Sequence, residues 1–134
     1  MARPEFPHLP PEDIKVWKKF LAGHGAIYDD FQYDVRVGTQ VRVSRDTNPK
    51  IKAMASDLSM KRIDAIAWNK SQPIIFEITH TAGFKAVGQL LGYKFLFDVM
   101  FPDEAPAKSI LVAGQLLPDM AFILNSLELE YHVV

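Results

Sequence analysis

The sequence contains no cysteine, no long apolar run and no excess of charge of either sign. Without cysteine, the chain has no disulfides, thiolate metal sites or cysteine nucleophile. No apolar run reaches the length needed to span a bilayer, and residues 1–5 lack the apolar core of a secretion signal. We therefore expect a cytoplasmic protein, in its own cytoplasm or that of a host, with no membrane partner.

The charge balance argues against a general nucleic-acid coat protein. The chain carries 15 basic and 16 acidic residues, for a formal net charge of -1, whereas coat proteins are usually basic overall. A local basic patch remains compatible with this balance, because phosphate contacts come mostly from Arg and Lys. The candidates are Arg42, Arg45, Lys50 and Lys52, with Lys61 and Arg62 near them in sequence. The alternative is a cluster of solvated loop charges.

The order of apolar patterns predicts a single α/β domain. At 134 residues the chain has the length of one domain, and its 49% hydrophobic content is typical of a globular protein. Prolines in residues 1–10 predict an extended arm outside the core, followed by a domain over residues 11–134. Helices are predicted at 11–21, 51–58, 82–100 and 118–127, and strands at 31–37, 62–68, 74–80, 109–113 and 131–134. This alternation predicts a mixed central sheet flanked by helices.

The predicted helix at 82–100 contains two glycines, Gly88 and Gly92, four residues apart. Each costs about 1 kcal/mol relative to alanine inside a helix. We interpret them as the place where the helix backbone approaches the sheet, which predicts that Gly88→Leu is strongly destabilising. The apolar face of this helix is predicted to consist of Phe84, Val87, Leu91 and Phe95.

Two acids lie within the apolar strands of the predicted hairpin, Asp64 on the first strand and Glu77 on the second. Acids in such runs are costly unless they are paired or bound to metal. Carboxylates on neighbouring strands can converge on Mg²⁺, with a backbone carbonyl and waters as further ligands. Alternatively, each acid lies at an exposed strand end or forms a salt bridge with Lys61 or Arg62.

Three segments, Lys61-Arg62-Ile63-Asp64, Ile75-Phe76-Glu77-Ile78-Thr79 and Ala86-Val87-Gly88-Gln89-Leu90-Leu91-Gly92-Tyr93, together resemble the core of the PD-(D/E)xK nuclease superfamily. The resemblance extends from Arg62 to the C-terminus and implies a restriction-endonuclease-like fold. It also implies that Asp64, Glu77 and the Ile78 carbonyl bind Mg²⁺ or Mn²⁺, and that Gln89 takes part in catalysis. The style of the sequence is similar to small phage-encoded proteins of this fold.

The sequence departs from the family at the catalytic lysine, whose position is occupied by Thr79. A threonine cannot supply the positive charge that assists a nucleophilic water. Lys85 shares a helix stripe with Gln89 and Tyr93, so it can take over this role as a catalytic residue. The alternative is that Lys85 is an ordinary surface lysine and the enzyme is inactive.

Other polar residues carry weaker signals. Glu12 or Asp13 could add an acid to the site, or could act only as favourable charges in the first turn of a helix. His80 could contact a phosphate, or could be a polar strand end. No role is assigned to His8, His24 and His132.

Two functions follow from these features. The first is a divalent-metal-dependent DNA phosphodiesterase (nuclease). The second is a non-catalytic protein with the nuclease fold that serves phage assembly, virion structure or DNA binding, because a fold does not fix a function. The partners expected are DNA, a second copy of the chain or a phage protein.

Overall fold

The computed structural model describes residue 6 and residues 8–38, 48–50 and 61–134. The helices are α1 (Pro11–His24), α2 (Phe84–Met100) and α3 (Met120–Ser126), with a 3₁₀ turn at Gly25–Ile27. The strands are β1 (Asp29–Val37), β2 (Lys61–Asn69), β3 (Gln72–Ala82), β4 (Lys108–Leu116) and β5 (Glu130–Val133). The helix predicted at 51–58 lies outside the described residues.

The strands form one mixed five-stranded sheet in the order β1-β2-β3-β4-β5. The first three strands are antiparallel neighbours, whereas β3, β4 and β5 run parallel. Because a parallel connection must cross back over the sheet, α2 and α3 serve as the two crossovers. The predicted fold class, a mixed sheet flanked by helices, is confirmed. Among the described helices, none is long and apolar enough to cross a membrane.

Helix α1 covers one face of the sheet. Two acids, Glu12 and Asp13, favour its first turn, where a proline also occupies one of the first two positions. Trp17 and Phe20 are fully buried, with their rings stacked 5.4 Å apart and Trp17 lying 5.1 Å from Phe76 of β3. This aromatic cluster fixes the start of α1 against the centre of the sheet.

The segment before α1 belongs to the core rather than lying outside it. Phe6 is 6% exposed and Leu9 is 7% exposed, and both belong to the cluster beneath α1. The Leu9 N–H donates to the Phe6 carbonyl at 3.2 Å, which turns the chain back onto the sheet. The prediction of an arm outside the core is therefore wrong for these two residues. Burying their apolar side chains is favourable, and the prolines around them do not prevent it.

Helix α2 packs on the other face of the sheet, where Val87 of the predicted face is partly buried but other residues form most of the contact. Its buried side chains are Ala86, Leu90 and Phe97. The predicted face is largely exposed, with Phe84 at 74% and Phe95 at 69%. Apolar residues occur on two opposite sides of the helix, so its periodicity does not indicate which face meets the sheet.

The predicted role of Gly88 and Gly92 is also wrong. Gly88 is exposed, and a Cβ built at either glycine has no atom within 4 Å apart from the helix's own nearby backbone. The two glycines therefore face away from the sheet, and Gly88→Leu has room for its side chain.

A close backbone approach occurs instead at Gly114 of β4. A Cβ there would lie 2.8 Å from the His80 carbonyl oxygen and 3.2 Å from Val16 Cγ2. We expect Gly114→Ala to lower the free energy of unfolding by about 1–3 kcal/mol, because neither the strand nor the helix can move freely. Gly88→Ala is the matched control and should leave stability unchanged or raise it by about 0.5–1 kcal/mol. Urea denaturation of both variants measures the difference, and equal effects would contradict this account.

Candidate metal centre and active site

The two acids lie where strands β2 and β3 separate. Their ladder runs from Asn69 opposite Gln72 to Ala65 opposite Phe76 and does not continue to Asp64 and Glu77. Beyond that point β2 continues alongside β1, while β3 continues alongside β4. The Ile78 N–H donates to Asp64 Oδ2 at 2.9 Å, replacing the ladder bond that the separation removes. We call this point, where β2 and β3 separate beside Asp64 and Glu77, the fork. Both carboxylates line the same cavity there.

Burial makes the carboxylate pair hard to ionise. Glu77 is only 7% exposed, and its Oε2 has no hydrogen-bond partner among the residues that the structure describes. Burial and the neighbouring charge of Asp64 raise the pKa of Glu77 to about 9. Burial also raises the pKa of Asp64, although the Ile78 N–H bond opposes the shift. At neutral pH, the metal-free pair therefore retains a proton.

The fork opens into a cavity of about 250 Å³. Its lining includes the five residues predicted to bind metal or to take part in catalysis: Asp64, Glu77, Ile78, Lys85 and Gln89. They come from β2, β3 and the first half of α2. The crossover from β3 into α2 places the helix start above the fork, which brings these residues together.

Solved structures with a similar fold include repair endonucleases. A repair endonuclease from Pyrococcus abyssi is 14% identical, with a TM-score of 0.54 over 99% of this chain and 49% of that chain. EndoMS in complex with double-stranded DNA is 13% identical, with a TM-score of 0.53 over 99% of this chain and 48% of that one. EndoMS in its apo form is 12% identical, with a TM-score of 0.51 over 91% of this chain and 45% of that one. This chain has the restriction-endonuclease-like fold, as its sequence predicts.

The chain spans about half the length of these endonucleases. No protein-family model matches the sequence, and no curated protein sequence matches it. The likeness therefore identifies the restriction-endonuclease-like fold, and the chemistry must be argued from the residues of this chain.

Thr79 lines the cavity at the fork but supplies no charge there. Its hydroxyl donates to the Thr81 carbonyl at 3.2 Å. Lys85 lies in the first turn of α2, and its positive charge lowers the pKa of Glu77, opposing the effect of burial. Lys85 is thus a cation positioned to act on the carboxylate pair.

Gln89 lies one turn beyond Lys85. Its Nε2 donates to the Tyr93 hydroxyl at 3.2 Å, which orients the amide at the cavity wall. Burial raises the pKa of the Tyr93 hydroxyl, and the charges of Glu77 and Asp64 add to the shift. Tyr93 therefore stays protonated and can keep the amide of Gln89 in place.

Two polar residues from the N-terminal part of the chain, Asp13 and His8, also line the cavity. Asp13 accepts the His80 N–H at 2.8 Å, and burial raises its pKa. His8 Nε2 lies 3.1 Å from the Asp64 carbonyl oxygen, while His8 Nδ1 is buried without a partner. Asp13 was one of two candidate acids in the sequence; Glu12 does not line this cavity. His8 was missed, because no spacing connects it with residues more than fifty positions away.

The remaining histidines lie away from this cavity. The rings of His24 and His132 are 4.7 Å apart, and His132 pairs with Glu130. His80 is exposed, and its Nδ1 lies 2.9 Å from the Thr81 hydroxyl. For His80 the two alternatives, a phosphate contact and a polar strand end, stay predictions.

The predicted basic patch lies partly outside the described residues, which exclude Arg42, Arg45 and Lys52. Arg62 Nε lies 3.7 Å from Asp34 Oδ1. Lys61 is exposed and borders, together with Lys85, a shallow groove beside Gly88 and Gly92. The patch as a whole stays a prediction.

The residues at the fork fit a small divalent cation. Two carboxylate oxygens and a main-chain carbonyl are hard ligands, which suit Mg²⁺ and Mn²⁺ better than softer metals. The unpartnered, buried Oε2 of Glu77 is an acceptor that such a cation would satisfy. Within the described part of the chain, no group of three or more His, Asp or Glu side chains could hold a metal. The fit is thus to a weakly held ion that keeps several waters.

Proposed function

We propose that the protein is a divalent-metal-dependent DNA phosphodiesterase. The proposal rests on one observation, the buried Glu77 carboxylate beside Asp64 with its Oε2 unpartnered and a lysine nearby. A buried acid pair of this kind is unfavourable unless a proton or a cation joins it. The similarity to EndoMS in complex with double-stranded DNA supports DNA as the substrate class.

In this proposal, Asp64, Glu77 and the Ile78 carbonyl hold Mg²⁺ or Mn²⁺. A bound divalent ion stabilises charge on a phosphate oxygen and lowers the pKa of a bound water. Lys85 binds a non-bridging phosphate oxygen and holds the scissile phosphate next to the fork. Gln89, oriented by Tyr93, presents its Oε1 to the attacking water.

Thr79 favours a second candidate function. A chain that has lost the motif lysine could retain the fold for binding DNA or for assembly with a phage protein. In that case Lys85 is a surface cation, and the acid pair remains protonated in the working protein. The two candidates differ in whether the folded protein cleaves DNA.

The test is cleavage of single-stranded, double-stranded and branched DNA with Mg²⁺ and with Mn²⁺. We expect the parent protein to cleave at least one of these substrates and Asp64→Asn to be inactive. The control is Asp30→Asn, whose acid is exposed and lies outside the cavity. A folded parent protein that is inert on all three substrates with both metals would exclude the nuclease.

Metal binding gives an independent prediction. Because the pair holds a proton at neutral pH, Mg²⁺ binding should release close to one proton at pH 7. The affinity for Mg²⁺ should therefore rise by about tenfold per pH unit between pH 6 and 8. Calorimetry in buffers of different ionisation enthalpy measures the proton release. Glu12→Gln, outside the cavity, should bind as the parent does, and binding without proton release would contradict the site.

A further inference from the structure

The outward face of α2 is apolar and exposed. Phe84, Leu91, Phe95 and Val99 are 74%, 45%, 69% and 62% exposed. They follow one another at helical spacing and share a face with Gly88 and Gly92, where an added Cβ would have no neighbour within 4 Å. We call this face the α2 outer stripe, formed by Phe84, Gly88, Leu91, Gly92, Phe95 and Val99. A helix with apolar residues on two opposite faces normally buries both faces.

The charges of α2 border the stripe and do not interrupt it. Lys85 lies on one side, and Lys94 and Asp98 lie on the other as an ion pair of 2.6 Å. The stripe thus runs the length of the 17-residue helix without a charge. Such a surface fits an uncharged helix face of the same kind.

We propose that the stripe binds the same stripe of a second copy of the chain, with the two helices antiparallel. If Phe84 is placed opposite Val99 of the partner, Phe95 lies opposite Gly88 and Leu91 lies opposite Gly92. Since a Cβ at either glycine meets no neighbouring side chain or strand, each glycine leaves a hole for the large side chain opposite. The stripe is therefore complementary to itself, as a two-fold interface requires.

The exposed area is sufficient for a weak dimer. With roughly 150–250 Å² for each aromatic side chain, Phe84 and Phe95 together expose on the order of 300 Å² per copy. Leu91, Val99 and their neighbours bring the apolar area to on the order of 500 Å² per copy, or about 1,000 Å² for two. This value is at the lower limit of specific interfaces, so we expect a dissociation constant on the order of micromolar. The proposal does not depend on nuclease activity.

Sedimentation over a range of protein concentrations tests the dimer. We expect Phe95→Glu to raise the dissociation constant by at least tenfold, because it places a charge in the apolar interface. The control is Phe122→Glu on α3, a residue that is 75% exposed and outside the stripe. That variant should dimerise as the parent does. A parent that stays monomeric at hundreds of micromolar, or a Phe95→Glu dimer as stable as the parent's, would overturn the proposal.

The chain has no cysteine, which allows a clean test of the orientation. In the antiparallel register, Leu91 lies near its own copy across the two-fold axis, whereas Val99 lies far from its own copy. Leu91→Cys should therefore form an intermolecular disulfide under mild oxidation, and Val99→Cys should not. Efficient cross-linking through Val99→Cys would indicate a parallel pair and contradict the register. Cross-linking through neither residue, with a dimer insensitive to Phe95→Glu, would place the interface elsewhere.

Discussion

Replacing Lys85 with alanine is expected to lower the rate of Mg²⁺-dependent DNA cleavage by about 10²–10³-fold, the loss seen when one preorganised donor is removed from an active site. Lys85 lines the cavity at the fork, and its charge acts on Glu77. Thr79 cannot replace that charge. The side chain is exposed, so the free energy of unfolding should change by less than about 0.5 kcal/mol. Single-turnover cleavage and urea denaturation measure the two effects.

Two further variants distinguish an active enzyme from an inactive one. Lys19→Ala removes an exposed lysine of α1 outside the cavity and should leave cleavage unchanged. Thr79→Lys should be neutral or harmful if Lys85 already supplies the charge, because two ammonium groups would compete for a small site. Three results together would show that the second candidate function is correct. They are an inert parent, no effect of Lys85→Ala, and activity restored by Thr79→Lys.

Replacing Glu77 with glutamine is expected to abolish Mg²⁺ binding and to change how stability depends on pH. Burial, followed by the charge of Asp64, raises the pKa of Glu77 from an ordinary 4.5 to about 9. The folded protein therefore binds a proton that the unfolded chain has lost. The stabilisation from this proton is complete below pH 4.5 and is lost as the pH rises towards 9. The metal-free parent should lose on the order of 1 kcal/mol of stability per pH unit across this range.

Glutamine cannot ionise, so Glu77→Gln should show a much weaker decline and should be more stable than the metal-free parent at pH 8. Urea denaturation with a chelator at several pH values measures this difference. Mg²⁺ in excess should stabilise the parent but not the variant. Glu12→Gln, an exposed acid of α1, should follow the parent throughout. If the parent and Glu77→Gln show the same pH dependence, Glu77 is ionised in the folded protein without metal.

The order of elements could be predicted because each pattern is local. Two apolar runs gave β2 and β3, and the turn between them gave the hairpin. The acids of the hairpin and the lysine and glutamine of the following helix stood out by type and spacing. The structure brings these residues to one cavity because the crossover into α2 begins beside the fork.

The orientation of α2 could not be predicted, since Phe84, Leu91 and Phe95 are as apolar as the residues that are buried. What decides its orientation is the shape of the sheet surface, which accepts Ala86, Leu90 and Phe97. The open glycines and the exposed stripe follow from that choice.

The sequence by itself determined the fold class, the acid pair and the threonine two residues beyond Glu77, because these depend on residue identity and on the two short periods of helix and strand. Only the tertiary structure brought His8 and Asp13 to the acids, left Glu77 Oε2 without a partner and turned an apolar helix face outward. The physical reason is that burial and long-range contacts are properties of packed surfaces, which no local pattern records.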